Sequence, residues 1–250
     1  MGRMGGSRHL KRLAAPEFWP LLRKEAVWTV KPSPGPHSIS KSLPLLIVIR
    51  DVIGYAKTYR EARKLIAEGH FKVDGRVRRD YKFPVGLMDV LEIVDTGELF
   101  RVVPVPVKVL ALIPISKEEA SFKLCRIENK TTLKGGKIQL NLHDGRNVEV
   151  PAEEARKYTT MSVLKISIPD SKLLGYIPME KGVLATVVGG MNVGRVGRVV
   201  SVSEGMRHYR KLVLLEDISG GNFYTSLDKV FVVGTEKPEI ALPITVKPVK

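Results

Sequence analysis

The stretch from Thr58 to Arg78 constrains the fold more than any other part of the chain. Thr58 is followed three residues later by Glu61, the spacing of a capping box, in which a hydroxyl and a carboxylate satisfy the first unpaired N–H groups of a helix. Gly69 stands where that helix should stop, because glycine closes a helix in the left-handed conformation without a Cβ penalty. His70-Phe71-Lys72-Val73 and Arg76-Val77-Arg78 then flank Asp74-Gly75, the kind of dipeptide that a two-residue hairpin turn favours. At about 100° per residue, Tyr59, Ala62, Leu65 and Ile66 gather on one side of the helix, with Arg60, Arg63 and Lys64 nearly opposite. Glu61 and Glu68 fall between the two faces. The hairpin region adds Lys72, Arg76, Arg78, Arg79 and Lys82. A basic helix face beside a basic hairpin can track two phosphate strands at a fixed spacing. Upstream, Leu43 to Thr58 predicts a first helix opened by Pro44 near its first turn, so that a helix pair leads into the hairpin.

The charge balance fits a polyanionic partner. The 250 residues hold 41 Lys and Arg against 26 Asp and Glu, a net charge of +15, and each cation that neutralises a phosphate also releases condensed counterions. Charge alone does not separate RNA, DNA and anionic membrane, but the longest early apolar run, Leu43 to Ile49, is far short of the roughly 18 residues of a membrane span. A secretory leader fails on Pro16, Glu17 and Pro20, and a myristoylation pattern fails at Gly6, where Ser or Thr is expected. A single cysteine, Cys125, excludes an internal disulfide and predicts no cysteine-based zinc site. An intracellular, cytoplasmic protein is expected, folded because 44% of its residues are hydrophobic.

The densest excess lies in residues 1–42, with eight Lys or Arg and two acids. Arg3, Arg8, Lys11 and Arg12, with His9 among them, precede any acid. The same arm holds Trp19, Trp28 and the loop-like Lys31-Pro-Ser-Pro-Gly-Pro36, and it has too little periodicity to fold alone. It is therefore expected to order against something else, and its deletion to matter for assembly more than for stability.

Beyond Ile93 the helix signals thin out. Val102 to Ile115 alternates valines with Pro104, Pro106 and Pro114, as edge or bent strands do. Lys134-Gly135-Gly136-Lys137 and Asp144-Gly145 mark turns, and Ile138 to Leu142 alternates as a strand. Residues 96–175 predict a mostly β domain with no site of its own. Further on, Leu184 to Val188 and Val196 to Val202 are strand-like and enclose Gly189-Gly-Met-Asn-Val-Gly194-Arg195-Val196-Gly197. A P-loop needs Lys then Ser or Thr after its last glycine, and a dinucleotide site needs a following helix; this chain has neither. Gly194 can take a positive φ and would let RNA approach the loop backbone closely. Arg207, His208, Arg210 and Lys211 add a basic segment that reads equally as a solvated turn.

Two of these segments resemble known modules. Tyr59-Arg-Glu-Ala-Arg-Lys-Leu-Ile-Ala-Glu-Gly-His-Phe-Lys-Val-Asp-Gly75 resembles the S-four-type RNA-binding domain, also found in bacterial ribosomal proteins, pseudouridine synthases and tyrosyl-tRNA synthetases. That resemblance implies a basic helix face and hairpin gripping structured RNA. Asp74 departs mildly from the Asn-Gly often found at the turn, at the cost of one donor. The glycine segment resembles a KOW motif on a small SH3-like barrel. Together with His9-Leu-Lys-Arg-Leu-Ala-Ala-Pro16 and Pro34-Gly-Pro-His37, the order of segments is similar to that of the S-four-E family of ribosomal proteins, and the short sequence after the KOW segment resembles the archaeal form.

The resemblance implies an α+β multidomain chain. It comprises a basic N-terminal arm (1–42), a small helix-pair plus hairpin RNA-binding module (43–95), a mostly β central domain (96–175) and a C-terminal SH3-like KOW β-barrel with its tail (176–250). It implies a structural, non-enzymatic constituent of the small ribosomal subunit, with small-subunit rRNA and neighbouring ribosomal proteins as partners. No cofactor, metal, membrane or small-molecule substrate is expected. The residues expected on RNA are Arg3, Arg8, His9, Lys11 and Arg12 in the arm, and Lys57, Arg60, Arg63 and Lys64 along the helix. Lys72, Arg76, Arg78, Arg79 and Lys82 are expected from the hairpin, and Gly194, Arg195 and Arg198 from the glycine loop. His9, His37, His70, His143 and His208 are scattered in sequence, and no nucleophile or metal motif accompanies them. The alternatives are an RNA-modifying enzyme that borrowed the helix-hairpin module, for which no catalytic α/β domain is present, and a KOW-type transcription factor, against which the arm and module argue.

Overall fold

The arm finds its partner in the rest of the chain. In the computed structural model, which describes residues 7–22, 24–204, 211–217 and 220–243, β1 (Leu10–Lys11) and β2 (Trp28–Thr29) form a short antiparallel pair. Trp19, on the connection between them, is 2% exposed, and its Nε1 donates to the Ser42 carbonyl at 3.0 Å. The indole thus buries its apolar body while its N–H is satisfied, which fixes the arm to the core.

The first predicted helix is shorter than its sequence suggested. Ser42–Pro44 is a strand, β3, paired antiparallel with residues 84–86. Then come a single α-turn, α1 (Leu45–Ile47), and a π-helical stretch over Val48–Ile53, ended by Gly54 at φ +75°. The physical reason is that pairing with residues 84–86 holds residues 42–44 extended, within a run that is buried on all sides. Residues 42–49 are buried throughout, so the run has no polar face and none of the amphipathic periodicity of a longer surface helix. Its first N–H groups are satisfied from the neighbouring loop, with Leu45 donating to the Phe83 carbonyl at 2.8 Å and Leu46 to that of Tyr81 at 3.1 Å.

Helix α2 (Tyr59–Glu68) forms as its caps require. The Glu61 N–H donates to the Thr58 hydroxyl at 3.2 Å, and the Glu61 carboxylate accepts from the N–H groups of Lys57 at 3.0 Å and Thr58 at 3.4 Å. Gly69 closes it at φ +97°. Ala62 and Ile66 are fully buried, and Leu65 is partly so. Strands β4 (Phe71–Val73) and β5 (Arg76–Val77) follow, joined by Asp74 at φ 51° and Gly75 at φ 71°, the two left-handed residues of a type I′ turn.

The sheet begun by this hairpin continues past residue 95. After β6 (Pro84–Gly86), the partner of β3, strands β7 (Val90–Ile93), β8 (Leu99–Val105) and β9 (Val109–Pro114) extend it in the order β5-β4-β7-β8-β9. A backbone ladder therefore crosses the expected boundary at 95/96: Leu91 lies opposite Phe100, and Val90 opposite Arg101. Three short strands would leave a buried face uncovered, and the longer β8–β9 hairpin covers it. Of the proline-bearing strands, β9 is at the edge and β8 is not.

The central sheet is built on β10 (Phe122–Thr132), with β11 (Lys137–Leu142), β12 (Asn147–Pro151), β13 (Val163–Ser167) and β14 (Leu173–Ile177) in the antiparallel order β12-β11-β10-β13-β14. The last sheet comprises β15 (Leu184–Val187), β16 (Val196–Glu204), β17 (Lys211–Asp217), β18 (Asn222–Ser226) and β19 (Val230–Gly234), ordered β18-β17-β16-β15-β19. The architecture is mostly β with two short helices. One apolar cluster runs through all segments, from Trp19 through Ile66, Phe71 and Leu124 to Phe231 and Leu242, so the expected units share a core. Smaller clusters sit within the central sheet around Ile127 and Leu164, and within the last sheet around Val187 and Leu215.

Candidate nucleic-acid interface

Helix α2 presents its basic face to solvent. Lys57, Arg60, Arg63 and Lys64 are all exposed, and only a loose contact to Glu68, at 3.8 Å from Lys64, tempers them. Among the described residues Arg60 makes no ion pair, and the Arg63 guanidinium lies 5.1 Å from the Tyr81 ring centroid. The one acid in the first turn, Glu61, is turned back onto the cap. In the hairpin region Arg76 and Arg79 are exposed, while Lys72 pairs with Glu92 at 3.0 Å. Lys82 lies 5.5 Å from the Tyr81 ring, and Arg78 packs 4.3 Å from that of Phe83. Burial, with Arg76 adding repulsion, lowers the Arg78 pKa. His70 is raised by its hydrogen bond to Asp95, with Glu68 also contributing.

In the arm, Arg8, His9 and Lys11 are exposed. His9 and Lys11 both approach Trp28, with ring centroids 5.6 Å apart for His9 and the ammonium 5.8 Å from the ring for Lys11. Arg12 is tied down instead, donating to the carbonyls of Leu21 and Leu22. Arg3 and the basic segment at 207–210 lie outside the described residues.

The glycine loop is closed where it was expected to be open. Gly194 has φ +78°, but it is buried against the β8–β9 turn, and a Cβ there would collide with Val105 and Pro106. Its bareness makes room for the backbone of Val105 and Pro106. Arg195 is likewise engaged, bonded to Asp217 at 2.7 Å and lying 4.2 Å from the Phe223 ring centroid. Of the three residues expected here, Arg198 is the exposed one.

Beneath the hairpin lies a buried ionic cluster that no sequence motif announces. The Lys123 ammonium, 1% exposed, lies 2.8 Å from Asp74, 2.5 Å from Asp89 and 3.1 Å from Asp144. Arg146 closes on Asp74 at 2.6 Å and Asp144 at 3.2 Å, and His37 meets Asp89 at 3.0 Å. Asp74 also accepts the Val90 N–H at 3.0 Å, and Asp89 that of Gly86 at 2.8 Å. Asp74, a mere departure from Asn-Gly in sequence, thus ties the hairpin turn to the central sheet. Burial alone would raise the Asp89 carboxyl; His37 and Lys123 outweigh it and hold that group far below the carboxylate range. Burial likewise opposes the Lys123 charge, but Asp89 and Asp74 raise its pKa well above the ordinary value.

The scattered histidines do not all stay apart, since His37 and His143 come within 5.9 Å, centroid to centroid. Cys125, His143 and Asp144 also converge, with ligand atoms within 4.8 Å of one another. Their chemistry does not fit a metal ion. The His143 Nδ1 accepts the Arg126 N–H at 3.1 Å, and its Nε2 lies 3.3 Å from the Leu87 carbonyl. The Cys125 thiol, its pKa driven up by burial, donates to Asp144 at 3.4 Å, where Lys123 already supplies the positive charge. Among the described residues no helix is long and apolar enough to cross a membrane.

Comparison with known proteins bears on all of these segments. Residues 4–40 match the model of the RS4NT domain, residues 44–91 that of the S4 domain, and residues 96–173 that of ribosomal family S4e. Small ribosomal subunit protein eS4 of Desulfurococcus amylolyticus is 64% identical over 248 residues, covering 97% of this chain and 98% of its own. The protein of the same name from Methanothermobacter thermautotrophicus is 46% identical over 243 residues, covering 97% and 99%. Among solved structures, the 30S ribosomal protein S4e of Thermoplasma acidophilum superposes with a TM-score of 0.66 at 35% identity, covering 78% of this chain and 96% of that one.

Proposed function

The chain belongs to ribosomal family S4e, and on that premise we propose that it is a structural constituent of the small ribosomal subunit, holding small-subunit rRNA on the basic face of α2. The observation that carries this reading is local. Arg60 and Arg63 are exposed on one side of a capped helix, with Lys57 exposed just before the cap, and Glu61 is bonded back onto the helix N-terminus. Arg76 and Arg79 extend the surface along the hairpin, and Arg8, His9 and Lys11 extend it into the arm. The partners are rRNA and neighbouring ribosomal proteins, and the place of action is the cytoplasmic ribosome.

In this reading residues 1–42 are the RNA-facing arm, the RNA-binding module begins at 43 with a sheet that runs on through β8 and β9, the central β sheet follows up to 175, and 176–250 form an SH3-like KOW barrel. The antiparallel sheet of β15 to β19, with Gly194 just before β16, supports the barrel assignment. Arg198 is its RNA-facing residue, whereas Gly194 and Arg195 shape the loop from within. No catalytic step is assigned. The clustered His37, Asp89 and Lys123 side chains are at most 3% exposed and engaged with one another.

The test is charge reversal at Arg60 and Arg63, read as affinity for small-subunit rRNA over a salt series. Affinity should fall, and the slope of log K against log salt should become shallower by about one for each phosphate that is no longer neutralised. An unchanged affinity and slope would reduce the helix face to ordinary solvated surface.

A further inference from the structure

We infer that the cleft between the arm and α2 is a stacking site for an unpaired RNA base, with Trp28 as its platform. The inference rests on the RNA-binding reading above and names a ligand class within it. The cleft encloses about 600 Å³, inside the roughly 300–1,000 Å³ range of sites for small organic groups. Its walls combine aromatic and basic side chains. Trp28 enters from the arm, and Tyr59 and Tyr81 from the module, with Arg8, His9 and Lys82 beside them.

Two features distinguish this wall from an ordinary packing defect. First, Trp28 remains 56% exposed and Tyr59 37% exposed, although the arm's other indole, Trp19, is fully enclosed. The exposed rings present flat apolar faces that a stacking partner can cover. Second, the charge around the rings is predominantly positive. Lys11 lies 5.8 Å from the Trp28 ring, and Arg63 and Lys82 lie 5.1 and 5.5 Å from that of Tyr81. Of the charged residues lining the cleft, Glu25 is the one acid, against Arg8, Arg12, Lys31 and Lys82, while Arg50 is paired with Asp51. Aromatic platforms fringed by cations suit single-stranded nucleic acid, whose bases stack while its phosphates meet the cations. A duplex would offer the cleft only phosphates, because its bases already stack on each other. The ligand is therefore a splayed or bulged nucleotide next to the helical segment held by α2.

The test uses the full-length chain and two short RNA hairpins. One is fully paired, and the other carries a single-nucleotide bulge of 2-aminopurine, whose fluorescence reports stacking. The wild-type protein should bind the bulged hairpin more tightly and quench its fluorescence. Trp28→Leu should bind the bulged hairpin about tenfold more weakly, lose the quench and leave affinity for the paired hairpin unchanged, while Trp28→Tyr restores both. Circular dichroism confirms that the variants are folded. If Trp28→Leu alters neither affinity nor quench while reversal at Arg60 and Arg63 weakens both RNAs, the stacking site falls and the basic-face reading stands. If Trp28→Leu weakens both hairpins equally, the indole supports the arm without stacking a base, and the inference also falls. If neither hairpin responds to any variant, both readings fail together.

Discussion

Replacing Lys123 with Met isolates the charge at the centre of the buried cluster, because methionine preserves most of the apolar stem and removes only the ammonium. The ammonium sits within 3.1 Å of three carboxylates and is 1% exposed. Removing one partner from a buried, hydrogen-bonded ion pair costs about 3–5 kcal/mol, because the other charge is left uncompensated. Arg146 and His37 remain, so the expected loss lies within that range and not above it. For a chain of this size it corresponds to a fall of roughly 6–20 °C in melting temperature. The pH dependence has a defined sign. In the wild type, Asp89 and Asp144 are held below the ordinary carboxylate value by neighbouring cations, against the opposing effect of burial. Their contribution is complete above that value and is lost as pH falls through the folded-state pKa. Without Lys123, burial is opposed by less positive charge, and protonating a carboxylate relieves the variant. The gap between variant and wild type should therefore narrow from pH 7.5 to pH 5. Thermal and urea melts at both pH values measure it. A cost below about 1 kcal/mol, or a gap that widens at pH 5, would show that the cluster is not held by this charge.

Two further outcomes follow from buried groups. Trp19→Ala should cost about 3–5 kcal/mol in a urea melt, because the ring is 2% exposed and its N–H is bonded to Ser42. Deleting residues 1–40 should accordingly lower the melting temperature, contrary to the expectation from sequence that the arm matters mainly for assembly. His143, with its pKa pushed from 6.5 down to about 3 by burial and then by Lys123, contributes stability that is complete above its ordinary value and lost as pH falls towards the depressed one. His143→Gln should flatten the decline in stability over that window, by on the order of a few kcal/mol, and an unchanged slope would contradict the assignment.

The features legible in sequence were those written in adjacent residues. The capping box of Thr58 and Glu61, the stop at Gly69 and the turn at Asp74-Gly75 each need only a local conformation, and all three form. The helix from Leu43 was legible as apolar but not as short. Nothing in Leu-Pro-Leu-Leu-Ile-Val-Ile indicates that residues 42–44 would pair with residues 84–86, since that choice depends on a strand forty residues away. The ionic cluster was invisible for the same reason. His37, Asp74, Asp89, Lys123 and Asp144 come from five separate segments, and each alone reads as a surface residue. Gly194 is legible as a position that needs glycine, but the Pro106 packed against it is not, because a left-handed residue looks the same in sequence whatever lies beside it.

Formal charge misled in a related way. The surplus of +15 includes Arg101, Lys123 and Arg126, which are buried and hold the fold together: Arg101 donates to the carbonyls of Glu119 and Phe122, and Arg126 to those of Asp228 and Val230. Counted by segment, the arm carries the largest excess, and residues 43–95, with ten Lys or Arg against eight acids, are close to balance. The structure shows which of those charges face solvent. Within the module, Asp74 and Asp89 are sealed against Lys123, Glu92 is paired with Lys72, Asp95 is bonded to His70, and Glu61 caps its own helix. Asp74 and Asp89 draw on Lys123, a cation from outside the module, which leaves cations within the module facing solvent, with Arg60, Arg63, Arg76 and Arg79 exposed. A phosphate approaching the protein meets the charge that remains after internal pairing. On that measure α2 and its hairpin present a basic surface despite their near balance of formal charge, with the exposed Arg8, Lys11 and Trp28 of the arm beside them.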